Sequence, residues 1–360
     1  MNDELAANAR SAQRPGILER LVCAAFLLLC MPGAAGAKAP NSKRAERVTM
    51  IPARPLLNLR VDIESCQYDL FVNGGLVMRN MEGTPAHEEQ PINHFVRSGS
   101  NEIEVLIYVD PDAPDTCEAK VALVIKDAEH EEAPGVTALV LGHTAKAGAA
   151  DPTAGSTPAG VFDSRHGFEK PADKGDFKVG RASLRHLPTH RDPLDMLSRS
   201  FDLHLPFPEW AFFKGDKMKQ GWEYETKDAL KAGYAKVLPA YVQLASLLEK
   251  RDVNGYLDAC EERSHEIDLA FYKSAGETRR RLAQELTTAF KDPTLKLEPT
   301  TPPPGKFWSY SVGSQGNLIA LTQGSRGSSV IGFESTNGSL YRLGFPVVFR
   351  KQGDRFIVTR

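Results

Sequence analysis

Between Leu230 and Phe290 the apolar residues recur at spacings of three and four, whereas on both sides of that stretch they alternate. A period near 3.6 requires amphipathic helices, and a period of two requires half-buried strands. The chain must therefore carry both element types in separate blocks, which is the α+β class. Leu230, Tyr234, Leu238, Tyr241, Leu244, Ala245 and Leu248 form the stripe of a first helix. Pro239 lies inside it and predicts a kink or a fresh start, because proline has no N–H and its ring crowds the preceding turn. Asp252 is placed to cap a second helix whose apolar face runs from Val253 to Phe271. Ser274 with Glu277 has capping-box spacing and would open a third helix through Leu282, Leu286, Ala289 and Phe290.

Pro302, Pro303 and Pro304 end the helical block. Strands are expected at 307–312, 317–321, 329–333, 341–350 and 355–359, with Asn337-Gly338 among the turns. The C-terminal block, 226–360, thus reads as about three helices packed on an antiparallel sheet. Upstream, Leu57, Leu59, Val61 and Ile63 alternate with polar residues, and Asn73-Gly74-Gly75 separates two strand-like runs as a hairpin turn. Further strands are expected at 102–109, 120–126, 136–141 and 177–184, which predicts an N-terminal β-sandwich over 56–213. Residues 145–160, rich in Ala, Gly, Pro, Ser and Thr, are a linker or a long loop within it. Phe201 to Phe207 alternates again, and a partner strand in the sandwich would make that stretch an internal loop.

The start of the chain predicts export. Arg14 and Arg20 precede the apolar run 21–30, and Ala35-Gly36-Ala37 is a small-residue cleavage site. Residues 1–37 read as a secretory signal peptide and 38–55 as a tether, so the expected location is the periplasm. The apolar run is short for a membrane span. An uncleaved anchor is the rival reading. With the leader removed, Cys66, Cys117 and Cys260 remain. In an oxidising compartment Cys66 and Cys117 are able to pair, closing a loop worth about 3–4 kcal/mol on the chain-entropy model. Cys260, on an apolar helix face, reads as a buried small hydrophobe. The formal net charge of −2 gives no global case for nucleic acid or an anionic membrane.

The aromatic residues Trp210, Phe212 and Phe213, beside Lys214, form either a joint between the two blocks or a binding surface for a protein. Trp308 and Tyr310 are the other aromatic binding candidates. His186, His190 and Asp192 have a spacing that suits a metal on a helix, but Pro188 and Pro193 oppose a helix there. No phosphate-binding loop, dinucleotide fingerprint or nucleophile elbow is present, so neither a cofactor nor a catalytic residue is expected.

The element order over 226–360 resembles the nuclear transport factor two-like or cystatin-like superfamily, in which helices cover one face of a curved sheet. That resemblance implies a cone-shaped cavity. An enzyme of that kind would place its acid or base there, with Asp258, His265 and Asp268 the nearest candidates. The piece Gly99-x-Asn101-x-Ile103-x-Val105 resembles a turn and strand of extracellular carbohydrate-binding modules. The whole pattern of leader, β module, aromatic joint at 206–210 and terminal strands ending in 345–350 resembles two-domain periplasmic immunity proteins. Those neutralise toxic effectors, for example ones delivered by type VI secretion. This last resemblance implies a non-enzymatic binding protein with a protein partner. The alternatives are a small-ligand binder or enzyme using the cone, and a carbohydrate-binding envelope protein.

Overall fold

The alternation seen from Leu57 to Ile63 becomes β1 (Pro55–Glu64), whose four inward apolar side chains are wholly buried. The computed structural model describes residues 52–108, 117–133, 135–146, 149–150, 160–162, 177–187, 194–219, 227–298, 309–312, 316–323, 327–337 and 342–360. The expected signal peptide and the expected tether lie outside these residues, apart from 52–55. Residues 47–360 form one compact unit holding two large apolar clusters.

Two sheets enclose the first cluster. β1 pairs with β4 (Ala86–Pro91) on one side and with β6 (Glu118–Asp127) on the other, and β7 (Val136–Lys146) and β8 (Ala149–Ala150) extend this sheet. The facing sheet has the order β3-β2-β5-β11-β10-β9: β2 (Gln67–Val72), β3 (Gly75–Asn80), β5 (Gly99–Tyr108), β9 (Gly160–Phe162), β10 (Phe177–Leu187) and β11 (Leu194–Leu203). Tyr68, Leu70 and Val72 of β2 and Ile103, Val105 and Ile107 of β5 turn onto the same cluster as the β1 residues. Each such side chain contributes on the order of 1.5–3 kcal/mol of burial.

The β2–β3 hairpin turns through Asn73 and Gly74, both in the left-handed region (φ 49° and 78°), which is why asparagine and glycine stand there. Asn101 closes the same corner. Its amide oxygen accepts from Asn73 Nδ2 at 2.8 Å and from the Arg97 N–H at 2.9 Å. Asn101, part of the motif that resembled a sugar module, thus serves this turn. Strand β11 lies between β5 and β10, so strands from both sides of the Ala/Gly-rich stretch share one sheet.

Cys66 and Cys117 form a disulfide across a sequence separation of 51 residues. It ties the β1–β2 connection to the start of β6, and so links the two sheets at one end. Replacing both cysteines by alanine is expected to cost about 3–4 kcal/mol in urea unfolding. A loss below about 1 kcal/mol would mean the sheets hold this corner without the covalent link.

Four helices follow: α1 (Lys227–Glu249), α2 (Val253–Ala259), α3 (Glu261–Ala270) and α4 (Glu277–Lys291). The expected second helix is two, broken at Cys260. Asp252 caps α2, accepting the Gly255 N–H at 2.9 Å. Helix α1 continues through Pro239 as one element, so no second helix begins there. The capping-box glutamate Glu277 accepts the Ser274 N–H at 3.2 Å, but the α4 N-terminus receives its side-chain cap from α3, where Asp268 accepts the Thr278 N–H at 2.9 Å.

The C-terminal strands make two antiparallel sheets, where a single sheet was expected. One has the order β12-β16-β17, from Leu295–Leu297, Gly332–Ser335 and Arg342–Gly344. The other has the order β13-β14-β18-β19, from Ser309–Val312, Ile319–Gln323, Phe349–Gln352 and Arg355–Val358, with β15 (Ser328–Ser329) on β14. The expected strand 341–350 is divided because Pro346 has no N–H to donate to a ladder. Its first part pairs in one sheet and its last part in the other. Helices and both sheets bury the second cluster, which includes Tyr241, Leu286, Phe333, Phe345 and Phe349.

Candidate functional site

Trp210, Phe212 and Phe213 belong to the first cluster, which Leu318 and Val348 of the C-terminal block also join. The chain enters a 3-10 turn at Ala211–Lys214, and Trp210 and Phe212 on its leading side are wholly buried. Trp210 Nε1 donates to the Val96 carbonyl at 2.5 Å, and its ring packs against Phe207 at 5.5 Å. Phe213 is half-buried beneath the Arg97 guanidinium, 4.4 Å from its ring centre. Trp308 lies outside the described residues, and Tyr310 belongs to β13. Trp210 and Phe212 thus present their surface to the chain's own interior.

What they enclose is a cation. The Arg360 guanidinium lies over Phe212 at 4.6 Å, Trp210 at 5.8 Å and Phe95 at 6.0 Å. Arg360 Nη1 donates to Glu266 Oε2, and Glu266 Oε1 accepts the Ala211 N–H at 2.6 Å. Arg360 Nε and Nη2 have no hydrogen-bond partner among the described residues. The surrounding π faces offer them the electrostatic contact that oxygen does not. Next to this pair, Arg350 forks onto Glu262 through bonds of 2.8 and 2.6 Å. Asn93, wholly buried, donates to the carbonyls of Pro55 (2.8 Å) and Ala270 (2.7 Å) and so links β1 to the end of α3.

His94 borders the joint, with Nδ1 closed off from solvent. Burial, reinforced by Arg360, Arg263 and Lys273, holds its imidazole well below the usual histidine range. A histidine held low is neutral when folded and takes up a proton on unfolding. Its contribution is therefore complete above the ordinary range and is lost as the pH falls below it. The unfolding free energy is expected to decline between pH 7 and pH 5, and His94→Gln is expected to flatten that decline. An unchanged slope in the variant would assign the acid sensitivity to other groups.

The candidate catalytic carboxylates have structural partners. Asp258 pairs with Arg279 at 2.7 Å, Asp268 caps α4, and His265 is exposed. Burial pushes the Cys260 thiol up to about 11, which keeps it protonated at neutral pH. His186 bonds Asp195 across β10 and β11 at 2.5 Å, while His190 and Asp192 lie outside the described residues. Among the described residues no group of three His, Cys, Asp or Glu is arranged to hold a metal ion, and no helix is long and apolar enough to cross a membrane.

Sequence reasoning missed a second buried cluster. Arg79 forks onto Asp69 with two bonds of 2.6 Å, Tyr108 donates to Asp69 at 2.9 Å, and Arg79 reaches Thr322 of β14 at 2.9 Å. Burial and the neighbouring Glu102 push the Glu104 carboxyl up to about 8. The alternation of β2 and β5 gave a hint, since Asp69 and Glu104 fall on the side of their strands opposite the Tyr68, Leu70, Ile103 and Val105 face.

An open groove of about 500 Å³ runs between α1 and the β18–β19 hairpin. Leu244, Phe349 and Val358 form its floor, Ala240, Leu247 and Phe356 its walls, and Lys236, Gln243, Asp354 and Arg355 its exposed rim. Pro239 also lines it, and Pro239 leaves the Ala235 carbonyl one turn back without its helical donor. Comparison with family models, with curated proteins and with solved structures finds no match to this chain.

Proposed function

We propose that the chain is an exported protein that grips a protein partner without catalysing a reaction on it, in the manner of a periplasmic immunity protein that occludes a toxic effector. The groove between α1 and β19 is the observation that carries this reading. It is apolar in its floor and charged at its rim, the composition of a protein-docking surface. Between the helices and the C-terminal sheets, where a cone-shaped cavity would hold a small ligand, aromatic rings of the described residues pack against one another. Tyr241 meets Phe349 at 4.9 Å, Phe333 meets Phe345 at 5.9 Å, and the Tyr241 hydroxyl is fully engaged, donating to the Val347 carbonyl and accepting the Leu321 N–H. The disulfide fits an oxidising compartment, as does the expected signal peptide. On this reading residues 56–213 are a β-sandwich that serves as the scaffold. Residues 226–360 are the gripping module, with helices on antiparallel sheet as in the cystatin-like arrangement.

The test uses the mature chain from Lys38 onward together with the product of the gene next to its own. A stoichiometric complex on size exclusion, and protection of cells that export that product to the periplasm, are the expected results. Absence of a complex, combined with thermal stabilisation of the chain by a sugar or another small molecule, would overturn the reading.

A further inference from the structure

Strand β19 ends its sheet, and among the described residues it pairs on one side only. The pairs with β18 are Gln352↔Arg355, Lys351↔Phe356, Arg350↔Ile357 and Phe349↔Val358. In an antiparallel ladder the backbone groups of successive residues point alternately toward the partner and away from it. A two-residue turn, Gly353-Asp354, closes on Gln352 and Arg355, so Arg355 and Ile357 direct their N–H and C=O groups to β18. Phe356 directs its own to the free edge; Val358 follows the same alternation, but it is buried where α3 packs against the end of the strand. The same alternation shows on the far side of β18, where the Lys351 carbonyl points away from β19 and accepts the Asp216 N–H at 2.8 Å. All five residues from Asp354 to Val358 line the groove. Successive strand side chains point to opposite faces, so five in succession border one opening only where it follows the strand's edge.

We propose that this edge receives an extended segment of a protein partner, which adds to β19 as a further strand and inserts an apolar side chain between α1 and the hairpin. The inference rests on the partner-binding reading above and specifies its contact. An extended polypeptide is the occupant that matches the outward donor and acceptor of Phe356, which a helix or a compact ligand leaves unpaired. The charge of the rim selects the segment further. Lys236 and Arg355 make no ion pair among the described residues, and Asp354 offsets only one of them. The segment therefore carries an acidic side chain beside its apolar one.

The probe is an eight-residue peptide alternating valine and threonine with a glutamate at its centre. Its control is the same peptide N-methylated at alternate positions. Isotope-labelled mature chain is titrated with each and followed by amide hydrogen exchange and chemical shift. The first peptide is expected to slow exchange at the Phe356 amide, to leave those of Arg355 and Ile357 nearly unchanged, and to bind at least tenfold more weakly to the Lys236→Glu, Arg355→Glu double variant. Both side chains are exposed, so the substitutions are expected to leave folding intact. Equal binding of the two peptides, or unchanged exchange at Phe356 at millimolar peptide, would overturn the proposal. The neighbouring gene product separates it from the broader reading. If that protein binds the double variant as tightly as the unaltered chain, the edge is not its contact although partner binding stands. If the peptide docks on β19 and that protein does not bind, the edge site stands and the immunity reading falls.

Discussion

Trp210→Ala is expected to lower the unfolding free energy by about 3–5 kcal/mol, the range for truncating a fully buried aromatic side chain. Three losses coincide at this position. The indole surface is removed from a core where it has no exposure. The Val96 carbonyl loses the Nε1 donor that satisfies it, and a buried unsatisfied acceptor costs about 1–3 kcal/mol by itself. The Arg360 guanidinium loses one of its three aromatic walls. In a chain of this size the melting temperature is expected to fall by about 5–8 °C. Phe213→Ala, half-buried and facing Arg97, serves as the comparison and is expected to cost less than half as much. If Trp210→Ala instead left the melting temperature unchanged and abolished partner binding, the ring would have to face a partner, and the joint described above would be wrong.

That joint was half legible. Three aromatic residues in four positions, between prolines and a helical stripe, signal an anchor, because such side chains are rarely left in water together. Whether the anchor serves the chain or a partner depends on what covers it. Here that is Arg360, a residue 150 positions away, together with Val96 and Glu266, which no local pattern links to Trp210. The elements themselves follow from short-range chemistry. The β1 alternation, the Asn73-Gly74 turn and the Asp252 cap all appear at the expected residues. The misjudged features depend on long-range pairing. Pro346 was visible in the sequence, but its effect was to send the two halves of one apolar run into different sheets. The break at Cys260 has no proline or glycine to announce it. The groove joins Lys236 to Arg355, and it exists because β19 ends a sheet, a property of the assembled strand order.

Glu266→Gln is expected to cost about 3–5 kcal/mol, because it leaves the Arg360 charge buried without its counterion. Glu266 is 7% exposed and Arg360 4%, so water is in no position to replace the lost charge. The amide preserves the shape and can still accept the Ala211 N–H, so a large loss would report the charge and not the packing. Burial already lowers the Arg360 proton affinity, with the Glu266 carboxylate opposing that effect. The partner variant distinguishes the two contributions. With Arg360→Met in the same chain, the uncompensated charge disappears and the aromatic box receives an apolar side chain of similar length. The double variant Glu266→Gln, Arg360→Met is therefore expected to recover most of the stability, as apolar replacements of buried ion pairs are often neutral or stabilising. The quantity to measure is the coupling energy from urea unfolding of the four proteins of the cycle, expected to be at least about 2 kcal/mol. Additive losses would mean that the three rings alone hold the Arg360 cation. In that case Glu266 matters only as the acceptor that fixes the turn carrying Trp210.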